Sequence, residues 1–339
     1  MARKLATIQK IKELNPILGA DKIEVASVLG WKCVVEKGKF KVGDWCIYCE
    51  IDSIMPSWNP DYEFLKDRHY RVRTIRLRGQ ISQGLVLPIT TIRGLPETLK
   101  EGEDVTEILG IEQYIPQIPA NIAGFVKGLF PTFIPKTDET RVQVLQEVLT
   151  RYKDTLCYIT EKVDGSSVTY YIKDGEFGVC SRNLELKETE DNLFWKMARQ
   201  LEVEEKLKLF GKNVAIQGEL VGPGVQKNNL KLPEHHILFF TGFDIDKYQY
   251  LDVQQFGQLM NILDLETVPF VNDIYPLSDN IDSLVEMAKG FSKLNPKVYR
   301  EGVVIRPIDE KIDLQMSNSW GNGRVSFKVI NPEYLLKYE

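Results

Sequence analysis

No run of about 18 or more apolar residues occurs in this 339-residue sequence, so no membrane span is expected. No long apolar stretch follows the opening residues 1–7, which argues against a secretory leader and for an intracellular, cytoplasmic protein. Histidine is scarce: His69, His235 and His236 are the only three, all distant in sequence from Cys46-Ile-Tyr-Cys49. A zinc site needs about four ligands, and no second pair completes one here. Residues three apart in a strand also face opposite sides, so Cys46 and Cys49 are expected as ordinary half-buried thiols. With Cys33, Cys157 and Cys180 they make an odd, scattered set that suits a reducing compartment. An overall positive charge is missing too. The net charge is −5, so any nucleic-acid contact has to come from a local basic surface.

What is present is an ordinary globular composition, 43% hydrophobic and 27% charged, in a length that suggests two domains. Residues 1–110 read as a small β-rich barrel, with short strands at Ile23–Val28, Lys32–Val35 and Trp45–Tyr48 punctuated by glycines. Ile17-Leu-Gly-Ala-Asp-Lys-Ile-Glu24 followed by Gly30-Trp31 resembles an OB-fold of the tRNA-binding type. Within it, Lys66 to Arg78 supplies the local basic stretch: Lys66, Arg68, Arg71, Arg73, Arg76 and Arg78 interleave with His69 and Tyr70. Arginines among aromatics suit phosphate contact and base stacking. Residues 111–137 carry Pro116, Pro119, Pro131 and Pro135 and read as an irregular linker. Residues 138–339 read as an α+β domain. A helix is expected from Asp138 through Leu149, with N-cap candidates in Thr137-Asp138-Glu139-Thr140, and another within Leu184–Phe210. Strands are expected at Val214–Leu220, Ile237–Ile245, Gly302–Arg306 and Val325–Ile330, with a hairpin turning at Asp174-Gly175.

The chemistry centres on Tyr158-Ile-Thr-Glu-Lys162-Val-Asp164-Gly165. Alternation places Tyr158, Thr160 and Lys162 on one strand face, and the chain turns at Gly165. An amine at a strand end can attack phosphorus only when neutral. The expectation is therefore that Arg182, Lys328 and a metal ion depress its pKa from about 10.4. Gly165 is expected to let backbone approach a nucleotide. Alone, such a four-residue pattern also fits a plain turn with a solvated lysine.

Further segments follow in order: Cys180-Ser-Arg182-Asn183, Ala215-Ile-Gln-Gly218-Glu219, Phe239-Phe-Thr-Gly-Phe243, Glu301-Gly-Val-Val-Ile305 and Ser326-Phe-Lys328. Together these segments resemble the covalent nucleotidyltransferases, which comprise ATP-dependent DNA and RNA ligases and capping guanylyltransferases. The resemblance implies an antiparallel-sheet nucleotidyltransferase domain. It assigns catalysis to Lys162, Asp164 and Lys328, and nucleotide contact to Arg141, Glu161, Arg182, Glu219, Phe243 and Glu301. Of these, Phe243 would stack on the purine. Asp164, Glu219 and Glu301 would hold Mg2+ or Mn2+, directly or through waters.

The amino-terminal OB-like module, the end of the chain soon after Lys328, and the blocks Arg76–Pro88 and Thr137–Gln143 resemble the Naegleria-type RNA ligase family in particular. That resemblance implies ATP as cofactor, RNA with 3′-OH and 5′-phosphate ends as partner, a monomer, and a lysyl-AMP intermediate. Arg71, Arg73, Arg76 and Arg78 would touch RNA or the triphosphate. One position departs from the family's Lys-x-Lys pattern: Ser326 stands first, so either Lys328 acts alone or Arg324 substitutes. Residues Asp309–Arg324 look like a polar insertion. The rival readings are a DNA or mixed nick-sealing ligase, a GTP-using capping enzyme, and a non-catalytic RNA-binding protein.

Overall fold

A computed structural model describes residues 4–92, 99–114, 124–316 and 323–338. Pro116 and Pro119 lie outside them. The first module contains β1 (Ala6–Lys10), β2 (Glu13–Pro16), β3 (Ile23–Val28), β4 (Trp31–Glu36) and β5 (Trp45–Cys49). It continues with β6 (Ser53–Ile54), β7 (Thr74–Leu77), β8 (Gln80–Gln83), β9 (Leu85–Pro88) and β10 (Glu112–Gln113). These pair antiparallel in small sheets, β1-β5-β9, β2-β3-β4, β7-β8 and β10-β6. Alternating apolar residues fill the interior: Ile8, Ile47 and Cys49 face one cluster, Trp31, Cys33, Cys46 and Tyr48 another. All five cysteines are buried and free. Because β10 pairs with β6, the start of the expected linker belongs to this module.

The Lys66–Arg78 stretch does not form one basic face. Lys66 and Arg68 end a short 3-10 helix, Pro60–Arg68. Arg71 is held at home, bonding Asp52 at 2.6 Å with its guanidinium 3.8 Å from the centre of the Tyr114 ring. Arg73 and Arg78 are exposed on and beside the β7-β8 hairpin. Nothing is described of the Arg76 side chain.

The second domain holds β11 (Val126–Leu129), β12 (Thr140–Arg141), α1 (Gln146–Arg151), β13 (Leu156–Lys162), β14 (Ser166–Lys173), β15 (Glu176–Cys180) and β16 (Leu184–Leu186). Next come α2 (Leu193–Gln200), α3 (Val203–Phe210), β17 (Val214–Val221), β18 (His236–Asp244), β19 (Gln249–Tyr250) and α4 (Val253–Leu263). The chain ends through β20 (Phe270–Pro276), α5 (Ile281–Ala288), β21 (Gly302–Pro307), β22 (Phe327–Ile330) and α6 (Pro332–Tyr338). One sheet runs β11-β16-β15-β14-β17-β18-β19, the other β12-β22-β21-β13-β20. Apolar faces of α2, α3 and α4 cover the first sheet, and α1 and α5 cover the second.

One helix expectation changes. Residues 140–141 are not helical; they pair in parallel with Phe327 and Lys328, and α1 starts only at Gln146 without a side-chain cap. The Thr137–Thr140 polar run lines a cavity instead of capping. The helix expected within Leu184–Phe210 forms as α2, and a second, α3, follows Glu202, which takes φ 53°. The hairpin at Asp174-Gly175 forms as expected, with both residues left-handed.

Candidate active site

A cleft opens between the two sheets. One lobe is lined by Thr137, Glu139, Thr160, Lys162, Glu219, Phe240, Val304 and Arg306, among others. Lys162 ends β13, and its Nζ meets both Glu301 oxygens at 2.7 Å. Glu301 sits immediately before β21, whose Gly302 pairs with Lys162. Glu219 projects from β17 in the opposite sheet. Lys328 lies on β22, in register with Val304 on one side and Arg141 on the other.

Gly165 sits at a close approach of backbone to backbone. A Cβ there would come within 2.3 Å of the Leu220 oxygen, so the glycine permits close packing of the turn on β17. Its N–H bonds Glu219, which joins the nucleophile's turn to the facing carboxylate.

The electrostatics are one-sided. Burial pushes the Glu219 carboxyl up to about 8; Lys162 opposes this, while Glu301 and Asp164 add to it. Burial alone would lower the Lys162 pKa, but Glu301, Glu219 and Asp164 outweigh it and raise the pKa. Arg182 and Lys328 by themselves do not depress this lysine; the expected depression also counts on a metal ion. Arg182, named for that role, is exposed and paired with Asp138. Lys328 is the lysine that is lowered, to about 7, by burial and by repulsion from Arg141 and Lys162. Three carboxylates around one ammonium leave an excess of negative charge that a divalent ion would relieve, so the residues fit one. Among the described residues no three His, Cys, Asp or Glu side chains form a set able to hold an ion unaided. An ion here would rely on waters and phosphate oxygens.

Glu219→Gln tests this crowding in metal-free buffer. A carboxyl whose folded pKa is raised costs stability as pH climbs from 4.5, and in full above about 8. The variant should melt roughly 2–6 °C higher than the parent near pH 8.5, converging with it near pH 4.5. A variant equal to or below the parent near pH 8.5 would contradict the crowding.

Phe243 is not the aromatic of this site. It is fully buried with Tyr171, Cys180, Ala215 and Ile245 in a separate cluster. Phe240 lines the cleft in its place. A bulge explains the shift: Gly218 pairs with Phe239 and Gln217 with Thr241, leaving Phe240 as the extra residue. Gly218 is the sequence signal, since its Cβ would lie 2.8 Å from the Leu238 oxygen. Glu161 borders the lobe, and one oxygen of its carboxylate accepts from the Lys293 N–H at 2.8 Å.

Ser326 has a defined place. Its hydroxyl donates to Glu139 Oε1 at 2.7 Å and accepts from Arg306 Nε at 2.8 Å. Arg306 also bonds Glu139 at 2.9 Å and the Phe240 carbonyl at 3.0 Å, with its guanidinium 5.8 Å from the ring centroid. The two residues brace the backbone beneath Phe240. Arg324 pairs with Glu310, donates to Thr241 and lines an adjoining lobe. Arg141 lies where the modules meet, 5.8 Å from the Trp31 ring centroid. Gly30 N–H bonds the Gln143 carbonyl at 2.9 Å beside it, and Lys32 reaches Asp282 at 3.5 Å.

An OB-fold domain model matches residues 5–89, and the RNA ligase model matches residues 156–330. The chain belongs to the RNA ligase family. A structure of the Naegleria gruberi RNA ligase with PPi is 41% identical over 99% of both chains, at a TM-score of 0.88. An apo aspartate-to-alanine mutant of that ligase is 40% identical, covering 99% of this chain and 98% of its own, also at 0.88. A lysine-to-alanine mutant with ATP and Mn is 40% identical over 98% of each, at 0.87. No curated protein sequence matches. Fold class therefore agrees with the expectation: an amino-terminal OB-fold followed by an antiparallel α+β ligase domain. No described helix is long and apolar enough to cross a membrane.

Proposed function

We propose that this RNA ligase joins a 3′-OH end to a 5′-phosphate end of RNA in three steps, using ATP. One observation carries the proposal: the Lys162 amine, gripped by Glu301 and facing Glu219, lies in the same lobe as an open aromatic, Phe240. Lys162 Nζ attacks the α-phosphorus; a P–N bond forms, the P–O bond to pyrophosphate breaks, and the amine loses its proton. A 5′-phosphate oxygen then takes the AMP from Lys162, and the 3′-OH attacks the RNA phosphorus and expels AMP.

Phe240 offers the purine a stacking face, braced from below by Arg306 and Ser326. Glu219 is positioned for the ribose or for ion-bound water. Lys328, half neutral without ligand, becomes fully charged beside an α-phosphate. A divalent ion, when bound, supplies the positive charge that frees Lys162 from its carboxylates and offsets the triphosphate. Asp164, Glu219 and Glu301 are the residues that would hold it through its waters. The relatives solved with ATP and Mn and with PPi support this reading. Among the described side chains, exposed Arg73 and Arg78 are available for RNA or the triphosphate, while Arg71 serves Asp52. Five free, buried cysteines fit a reducing, intracellular setting.

Nicked duplexes differing only in the 3′-OH strand test the substrate. An RNA 3′-OH should seal at least about tenfold faster than DNA, because the 2′-OH distinguishes them. Equal rates would favour a mixed nick-sealing enzyme.

A further inference from the structure

We propose that Tyr334, on the carboxy-terminal helix, is a positioning residue that fixes Asp164 beside the nucleophile. The residue lies beyond 156–330, the span of the ligase match. It is buried, and its hydroxyl donates to Asp164 Oδ2. Asn229 Nδ2 donates to the same Oδ2 at 2.9 Å and to the Tyr334 hydroxyl at 2.9 Å. The direction of the triangle is therefore set: Tyr334 accepts from Asn229 and spends its own proton on Asp164.

The helix is a fixed reference for that contact. Asn331, fully buried at its start, donates its N–H to the Glu301 carbonyl at 2.9 Å. Its side chain donates to the Arg300 carbonyl at 3.0 Å and accepts from the Glu333 N–H at 3.0 Å. The frame that carries Glu301 to Lys162 thus also carries Tyr334 to Asp164. With Oδ2 taken twice, Oδ1 is the oxygen left for water or an ion. The same helix lies against β7 of the OB module, so a single element touches both that module and the turn behind Lys162.

This inference rests on the ligase reading, and Tyr334→Phe separates the two because it keeps the ring and removes only the donor. The rate of lysyl-AMP formation should fall about tenfold, with the ATP KM within about twofold and thermal stability nearly unchanged. Mn2+ affinity, read by electron paramagnetic resonance of free Mn2+ with α,β-methylene-ATP present, should weaken several-fold. Asn229→Ala should shift both readouts the same way by less. A parent protein that forms no adduct would sink the ligase reading. An active parent with an unchanged rate and Mn2+ affinity in Tyr334→Phe overturns this inference alone. So does a loss of rate that only follows a fall in melting temperature.

Discussion

Lys162→Met is expected to lower joining of ordinary 5′-phosphate RNA by more than about 10⁴-fold, because no other amine replaces the nucleophile. Lys328, the lysine nearest in charge, is on a different strand, in register with Val304 and Arg141. The same variant given RNA already carrying a 5′-adenylate should seal it within about 100-fold of the parent. That step needs no bond to Lys162, while Glu219, Glu301 and Lys328 remain. Quench-flow or gel assays on the two substrates measure both arms. Equal losses on both would mean that Lys162 does more in the final step than carry AMP, or that the site collapses without its ammonium.

Phe240→Ala and Phe243→Ala should fail in opposite ways. Removing the Phe240 ring loses a base-stacking platform worth about 1–3 kcal/mol, so the ATP KM should rise roughly 5- to 140-fold with little change in melting temperature. Phe243 has no contact with the cleft and packs edge-on to Tyr248 and Tyr250. Its truncation should cost about 3–5 kcal/mol of stability and leave the KM of the folded fraction nearly unchanged. Steady-state kinetics with a thermal melt of each variant decide. A KM effect at Phe243 and none at Phe240 would overturn the assignment of the aromatic.

The contrast between these two phenylalanines shows where the sequence is readable. Short apolar segments mark β13, β17, β18 and β21 because each buries at least one face in a core. The family resemblance places Phe243 at the purine, and a linear match does not see the bulge at Phe240, which is announced only by Gly218 on the neighbouring strand. Thr137–Thr140 carries good capping residues. Parallel pairing of Thr140 and Arg141 with β22, nearly 190 residues on, overrides that local signal. Arg71 shares the charge of its neighbours, but Asp52 and Tyr114 claim it through contacts that no linear pattern reveals. Lys162, Glu219, Glu301 and Lys328 were legible as motifs. The lysine's raised pKa was not, since it depends on how many carboxylates from separate strands converge on one ammonium. Tyr334 sits in a short helix that carries no motif, and only the fold brings it to Asp164.

The most direct measurement is adduct formation by the purified protein with ATP labelled on the α-phosphate and Mg2+ or Mn2+, followed by denaturation, peptide mapping and mass spectrometry. AMP on the peptide carrying Lys162, absent from Lys162→Met, is the predicted result. Folded protein that carries no AMP beforehand and acquires none with either ion, or acquires it on another residue, would contradict the assignment of Lys162 as the nucleophile.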